Sequence, residues 1–301
     1  MSKQAAMRKV STPSAADLLG PYLDQQCRVL QEVTAELQSV LTRRSDRLAV
    51  PAERVHDGRV ACRRLRSTIK VYDRFLSGPS AARLTEEAGW LATRLGAVRD
   101  LDVVGDRIGA ALEQLEDDLV LHDAKQELAA QLTYRRQIAL AELRDAVHHH
   151  TYADLVDQLA RWRERPPVAG QAPATKIKKA VKQAERQLSR RLRTAALALS
   201  ADDPEAGDLV HAARRAGKRL RYASEAALPI LGPHATDRLN SFIALQDELG
   251  DYQDSRVASV LLRDLGGIPG RNGFTFGLLY AQEAEHRRRL GKKIVKRARG
   301  L

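Results

Sequence analysis

The chain has 301 residues, with 50 Lys and Arg against 38 Asp and Glu and a formal net charge of +12. At 44% hydrophobic and 29% charged it falls outside disordered compositions; no run of about 18 apolar residues offers a membrane span, and two cysteines, Cys27 and Cys62, are too few for a disulfide framework or a zinc site. Aromatic residues make up only 4%, which leaves few platforms for stacking single-stranded bases.

Residues 1–14 lack the apolar core of a signal peptide and read as a flexible lead-in, so the expected location is the cytoplasm. Beyond them apolar residues recur at helical spacing and no stretch alternates as a strand, which predicts an all-α fold. Helices are expected near 15–45, 53–77, 80–96, 99–119, 121–147 and 151–163. A Pro-rich linker over 166–173 ends the first half, because adjacent prolines cannot continue a helix. Further helices are expected near 174–200, 205–230, 233–250, 252–265 and 274–298. The domain boundaries are therefore 15–165 and 174–301.

Charge is unevenly distributed along these elements. Residues 100–127 carry nine acids and two bases, whereas 176–193 and 284–299 each carry eight bases and one acid. Of the 50 cations, 12 are Lys, leaving 50 − 12 = 38 Arg. Arginine is the side chain suited to a bidentate grip on phosphate oxygens.

An internal repeat ties the halves together. Residues 55–66 and 210–221 share the pattern V-H-x-x-R-x-A-x-(R/K)-R-L-R, at an offset of 211 − 56 = 155. Residues 91–100 and 245–254 share L-x-x-x-L-G-x-x-x-D, at an offset of 254 − 100 = 154. Two motifs in one order and nearly one register indicate tandem helical halves, expected to be related by a pseudo-two-fold axis.

On a helix of about 100° per residue, His56, Arg59, Arg63, Arg66 and Lys70 fall within about 80° of one another. Ala61, Leu65, Ile69, Tyr72 and Leu76 form the opposite, apolar face, and Arg64 lies off the stripe. A solvated face usually mixes signs at four-residue spacing. Here Arg59 with Arg63, and Arg66 with Lys70, place like charges together. His211, Arg214, Lys218 and Arg221 repeat the arrangement, with Arg219 in the place of Arg64. Crowding of this kind, twice, calls for an external anion. Lys178, Lys182 and Arg186 line the polar face of the next basic helix and are assigned to the same role.

At these residues the sequence resembles the CHAD family, the conserved histidine α-helical domain. The resemblance rests on the two H-x-x-R-x-x-x-(R/K)-R-L-R strings, on Leu95 to Asp102, on Leu245 to Gly250 with Asp254, and on Gly273 to Leu279 leading into an Arg-rich helix. It implies two four-helix bundles related by pseudo-symmetry around a basic groove or pore. It also implies binding of inorganic polyphosphate and association with polyphosphate granules; some members associate with polyhydroxyalkanoate granules. Many CHAD domains follow a CYTH domain, for which this chain has no room and no E-x-E-x-K strand motif. Two departures stand out: Lys70 aligns with Glu225, and Lys218 replaces the guanidinium of Arg63 by a point charge.

His56 and His211 either pack or donate to phosphate, and a share of positive charge near pH 6.5 would add to the stripe. Asp100, Asp102 and Asp254 are expected to hold arginines rather than to catalyse. The run His148, His149, His150 spreads its side chains about 100° apart, unsuited to chelating one ion from one face. The sequence is thus read as a polyphosphate binder with no catalytic residue, no cofactor and no metal. Nucleic acid is the alternative polyanion, a granule scaffold another, and a phosphoanhydride-cleaving enzyme a third.

Overall fold

The computed structural model describes residues 13–42, 50–121, 123–169, 172–269 and 273–300. Among them are nine α-helices and no β-sheet: α1 Ala15–Leu41, α2 Ala52–Tyr72, α3 Ser80–Glu113, α4 Ala124–Val147, α5 His150–Glu164, α6 Ala174–Ser200, α7 Ala206–Ala227, α8 Ala235–Gly266 and α9 Gly273–Arg299. Most of the lead-in, 1–12, and part of the expected first helix, 43–45, lie outside the described residues. Helix α1 starts where Ser14 and Asp17 form a capping box: the Asp17 amide donates to Ser14 Oγ, and the Ser14 amide donates to Asp17 Oδ2 at 2.8 Å.

Two expected breaks are absent. The stretches 80–96 and 99–119 belong largely to one 34-residue helix, and 233–250 and 252–265 to one of 32 residues. Gly96 and Gly250 lie inside these helices, and an interior glycine costs a helix only about 1 kcal/mol. Neighbouring Leu91, Leu95, Leu245 and Leu249 are fully or almost fully buried and repay that cost.

The order of contacts repeats. Helix α1 packs on α2, α2 on α3 and α3 on α4; likewise α6 packs on α7, α7 on α8 and α8 on α9. A further match accompanies it: Gly78-Pro79 and Gly232-Pro233, at an offset of 232 − 78 = 154. Each follows a 3-10 turn (Asp73–Phe75, Leu228–Ile230) and leads into the long helix. Both glycines sit at positive φ, 78° and 93°, where an L side chain is strained. The halves differ in their last element. Helix α9 packs on both α8 and α6, whereas that work is shared in the first half by α4 on α3 and α5 on α1. The histidine run is the break between α4 and α5. The Thr151 amide donates to His149 Nδ1 at 3.2 Å, capping α5, and the His149 ring lies against Trp90.

One apolar core runs through helices of both halves, from Leu19 and Leu65 to Leu220 and Ile294. A smaller core joins the far end of α3 and the start of α4 to the end of α8 and the start of α9. The Pro-rich connection is pinned: the Ala169 amide donates to the Phe75 carbonyl at 2.7 Å, and the Ala15 amide to the Ala172 carbonyl at 3.0 Å. It ties the end of α2 to the start of α1, so it acts as a strap rather than a free linker.

Candidate functional site

The stripe helices α2 and α7 pack against each other, clamped by the buried Tyr72 hydroxyl donating to the Ala223 carbonyl at 2.7 Å. Their basic faces bound two cavities. The first, about 520 Å³, holds His56, Arg63, Arg64, Arg214, Lys218 and Arg221, faced by Asp247, Asp251 and Asp254 of α8. The second, about 660 Å³, holds Arg59, Arg63, Arg66, Lys70, His211, Arg214, Lys218 and Arg219, with no acidic residue in its wall. Arg63, Arg214 and Lys218 line both and form the waist of one cleft with two mouths.

The repeated motifs meet here. In each half the arginine three residues after the motif histidine lies over the glycine of the second motif. Arg59 Nε is 3.7 Å from where a Cβ of Gly96 would stand, and Arg214 Nε is 3.7 Å from the corresponding point at Gly250. The acid one turn on then faces the same arginine. Asp100 Oδ1 lies 2.7 Å from Arg59 Nη1, and Asp254 acts on Arg214 through space. The L-G-x-x-x-D motif is thus a seat for a guanidinium: glycine supplies clearance and aspartate supplies charge.

Charge compensation in the cleft is partial. Glu225 takes both Arg221, at 2.9 Å, and Arg64, at 3.5 Å, and accepts from the Tyr22 hydroxyl at 3.1 Å. The Tyr222 ring lies within 6 Å of both guanidiniums. Among the described residues no carboxylate oxygen lies within 4 Å of Arg63, Arg66, Lys70, Arg214, Lys218 or Arg219. Arg214 Nε and His211 Nδ1 are buried without a hydrogen-bond partner among the described residues; native structures rarely leave such groups unused.

The electrostatic consequence is sharpest at Lys218. Burial, and then Arg214, Arg63 and Arg59, push its ammonium down from 10.5 to about 6, with Asp254 opposing. Burial and the same mutual repulsion lower Arg63 and Arg214, which as arginines stay charged. Both motif histidines are held below their ordinary value, His56 by burial and then Arg99, His211 by burial and then Arg215 and Arg214. Their share of positive charge near neutral pH is therefore smaller than that of an ordinary imidazole.

Three assigned residues lie elsewhere. Lys178, Lys182 and Arg186 are exposed and line neither mouth. Helix α6 packs through Ile177, Val181, Leu188 and Leu192, so its most basic face points away from the core. Asp102 holds no stripe arginine: it pairs with Arg136 of α4 at 3.2 Å and ties α3 to α4. Conversely, Arg191 and Arg215 line the second mouth and were not assigned from the sequence. On a wheel of about 100° per residue Arg191 falls at the edge of the apolar face of α6, and a cation intruding there was the available signal.

Fold and site define an all-α scaffold built to hold crowded cations in a cleft. The chain belongs to the CHAD family: the CHAD domain description matches residues 28–263. Two uncharacterised Mycobacterium tuberculosis proteins, from strains H37Rv and CDC 1551, are each 30% identical over 255 residues, covering 82% of this chain and 48% of theirs. The chain spans about half the length of these relatives. Among solved structures, PptA from Streptomyces chartreusis is similar in fold (TM-score 0.76, 19% identity, covering 96% of this chain and all of that one). So is the CHAD domain from the plant Ricinus communis (TM-score 0.69, 25% identity, covering 95% and 92%).

Proposed function

We propose that the protein binds inorganic polyphosphate in the α2–α7 cleft without transforming it, and that this binding associates it with polyphosphate granules. The carrying observation is the waist of Arg63, Arg214 and Lys218, crowded enough to drive the lysine toward neutrality and without a carboxylate within 4 Å among the described residues. Linear polyphosphate has about one negative charge per unit and no bases. Its receptor needs spaced cations, and neither base-edge readout nor stacking.

The two mouths differ in charge balance. The first carries three aspartates, and its Arg64 and Arg221 share Glu225. The second is wholly basic, so the chain enters there. Two carboxylates at the cleft are held by cations: Asp100 by Arg59, and Asp251 by Arg107 at 2.7 Å and His286 at 2.8 Å. That favours an ordering role over acid–base chemistry.

The test compares two variants that lose similar charge. Arg63→Ala with Arg214→Ala is expected to weaken polyphosphate binding by at least a hundredfold; Lys178→Ala with Lys182→Ala, on the outer face of α6, by less than threefold. Equal losses would mean diffuse attraction and defeat the assignment. Displacement of polyphosphate by duplex DNA at equal phosphate concentration would turn the reading toward nucleic acid.

A further inference from the structure

We propose that the polyanion track does not end at the cleft but continues, in the second half only, into a groove between α9 and the α6–α7 corner that holds a further segment of the same chain. This rests on the reading of the cleft as a polyphosphate site.

Two further cavities, of about 970 and 280 Å³, share Asp203, Ala206, Tyr252 and Arg287 and so form one groove. Along α9 it presents Arg287, Arg288, Lys292, Lys296 and Arg299, and along α8 Arg256 and Arg263. Against these seven cations stand two acids in the wall, Asp202 and Asp203. Asp203 accepts from the Glu205 amide at 2.8 Å, which holds it in the turn. Arg288 is satisfied by Glu285 at 2.7 Å, and Arg256 by Asp208 at 3.0 Å. Lys292, Lys296 and Arg263 have no carboxylate within 4 Å among the described residues. Arg287 is fixed by neutral oxygens alone, the Ser255 carbonyl and the Ser255 and Ser259 hydroxyls, so its charge is oriented but not neutralised.

The groove lies beside the cleft across α7 and α8. His211 lines the wholly basic mouth, and the charge of Arg256, which lines the groove, reaches its imidazole. Arg256 also lies against Gly207, one turn before His211 on α7. The repeat explains why only one half continues the track. At the offset of the second motif, 256 − 154 = 102, so Arg256 aligns with Asp102. The first half thus carries an acid at that position, within the acidic 100–127 stretch. From Arg287 to Arg299 the groove runs twelve residues along α9, about 18 Å at 1.5 Å per residue.

The experiment titrates the full chain with polyphosphates of two defined lengths, one short enough for the cleft alone and one several-fold longer. The variant combines Arg263→Ala, Lys292→Ala and Lys296→Ala, all exposed side chains. Expected are a roughly tenfold loss for the long chain, a log–log salt slope smaller by about 2 (about 0.7 per phosphate contact), and an unchanged short-chain affinity. Unchanged long-chain affinity, or equal losses for both lengths, overturns the groove while leaving the cleft reading intact. Failure of the unmodified protein to bind the short chain overturns the cleft reading itself. A single-stranded oligonucleotide whose affinity falls in the variant while that of long polyphosphate does not assigns the groove to nucleic acid and overturns the proposal.

Discussion

At the scale of single residues, Lys218 is where the site departs most from an inert surface. In the unfolded chain its ammonium ionises near 10.5, and in the fold near 6. Between those values the unfolded state binds more protons, so this group makes stability rise with pH across that window, and its penalty is complete below about 6. Lys218→Met is therefore expected to raise the melting temperature by several degrees at pH 5, with the gain shrinking toward pH 10, in thermal unfolding scans. The same variant should bind polyphosphate more weakly. A phosphate chain at the waist restores the ammonium, so binding takes up a proton at neutral pH. Calorimetric titrations in buffers of different ionisation enthalpy report that uptake; proton release instead would contradict the crowding argument. The histidine pair was legible as a position but not as a charge state, because its depression comes first from burial and then from neighbouring guanidiniums, Arg99 at His56 and Arg215 at His211, which depend on how the chain packs.

At the scale of elements, the stripes of α2 and α7 were readable because the pattern occurred twice in one register. Their partners were less so. Arg64 lies off the stripe on the wheel yet lines the cleft, because α7 brings Glu225 and Tyr222 to it from the other half. The basic face of α6 looked equivalent in composition, but packing turned it outward; a wheel gives faces, not the direction a face points. The glycine–aspartate motif was read as part of the repeat, and its use as a guanidinium seat inside a continuous helix shows only once the helices pack. A Cβ at Gly250 would stand 3.7 Å from Arg214, an ordinary contact. Gly250→Ala is thus expected to be neutral or stabilising by up to about 1 kcal/mol, whereas Gly250→Leu should evict the guanidinium and weaken polyphosphate binding at least tenfold. Equal binding by both variants would remove the seat from the account. Tyr72→Phe, which loses the α2–α7 clamp, is expected to cost about 1 kcal/mol of stability in denaturant unfolding.

At the scale of the whole molecule, the net charge of +12 understates the field that a ligand meets. The far half of α3 makes structural ties, Asp102 to Arg136 and Arg107 to Glu283 and Asp251. Meanwhile cations collect in the cleft and along α9. One core spanning both halves holds α2 and α7 together against this repulsion. The all-α class, the repeat and most of the stripe were accessible from spacing alone. The sharing of one core and the difference between the mouths were not, because they depend on how the halves dock. The most direct measurement is the affinity for polyphosphate as a function of salt, for the unmodified protein beside the Arg63→Ala, Arg214→Ala, Lys218→Ala triple variant. The account predicts a steep log–log slope, with a magnitude of about 3 or more from four or more phosphate contacts, that flattens by about 2 in the variant as affinity collapses. A variant that keeps both the affinity and the slope of the unmodified protein would contradict it.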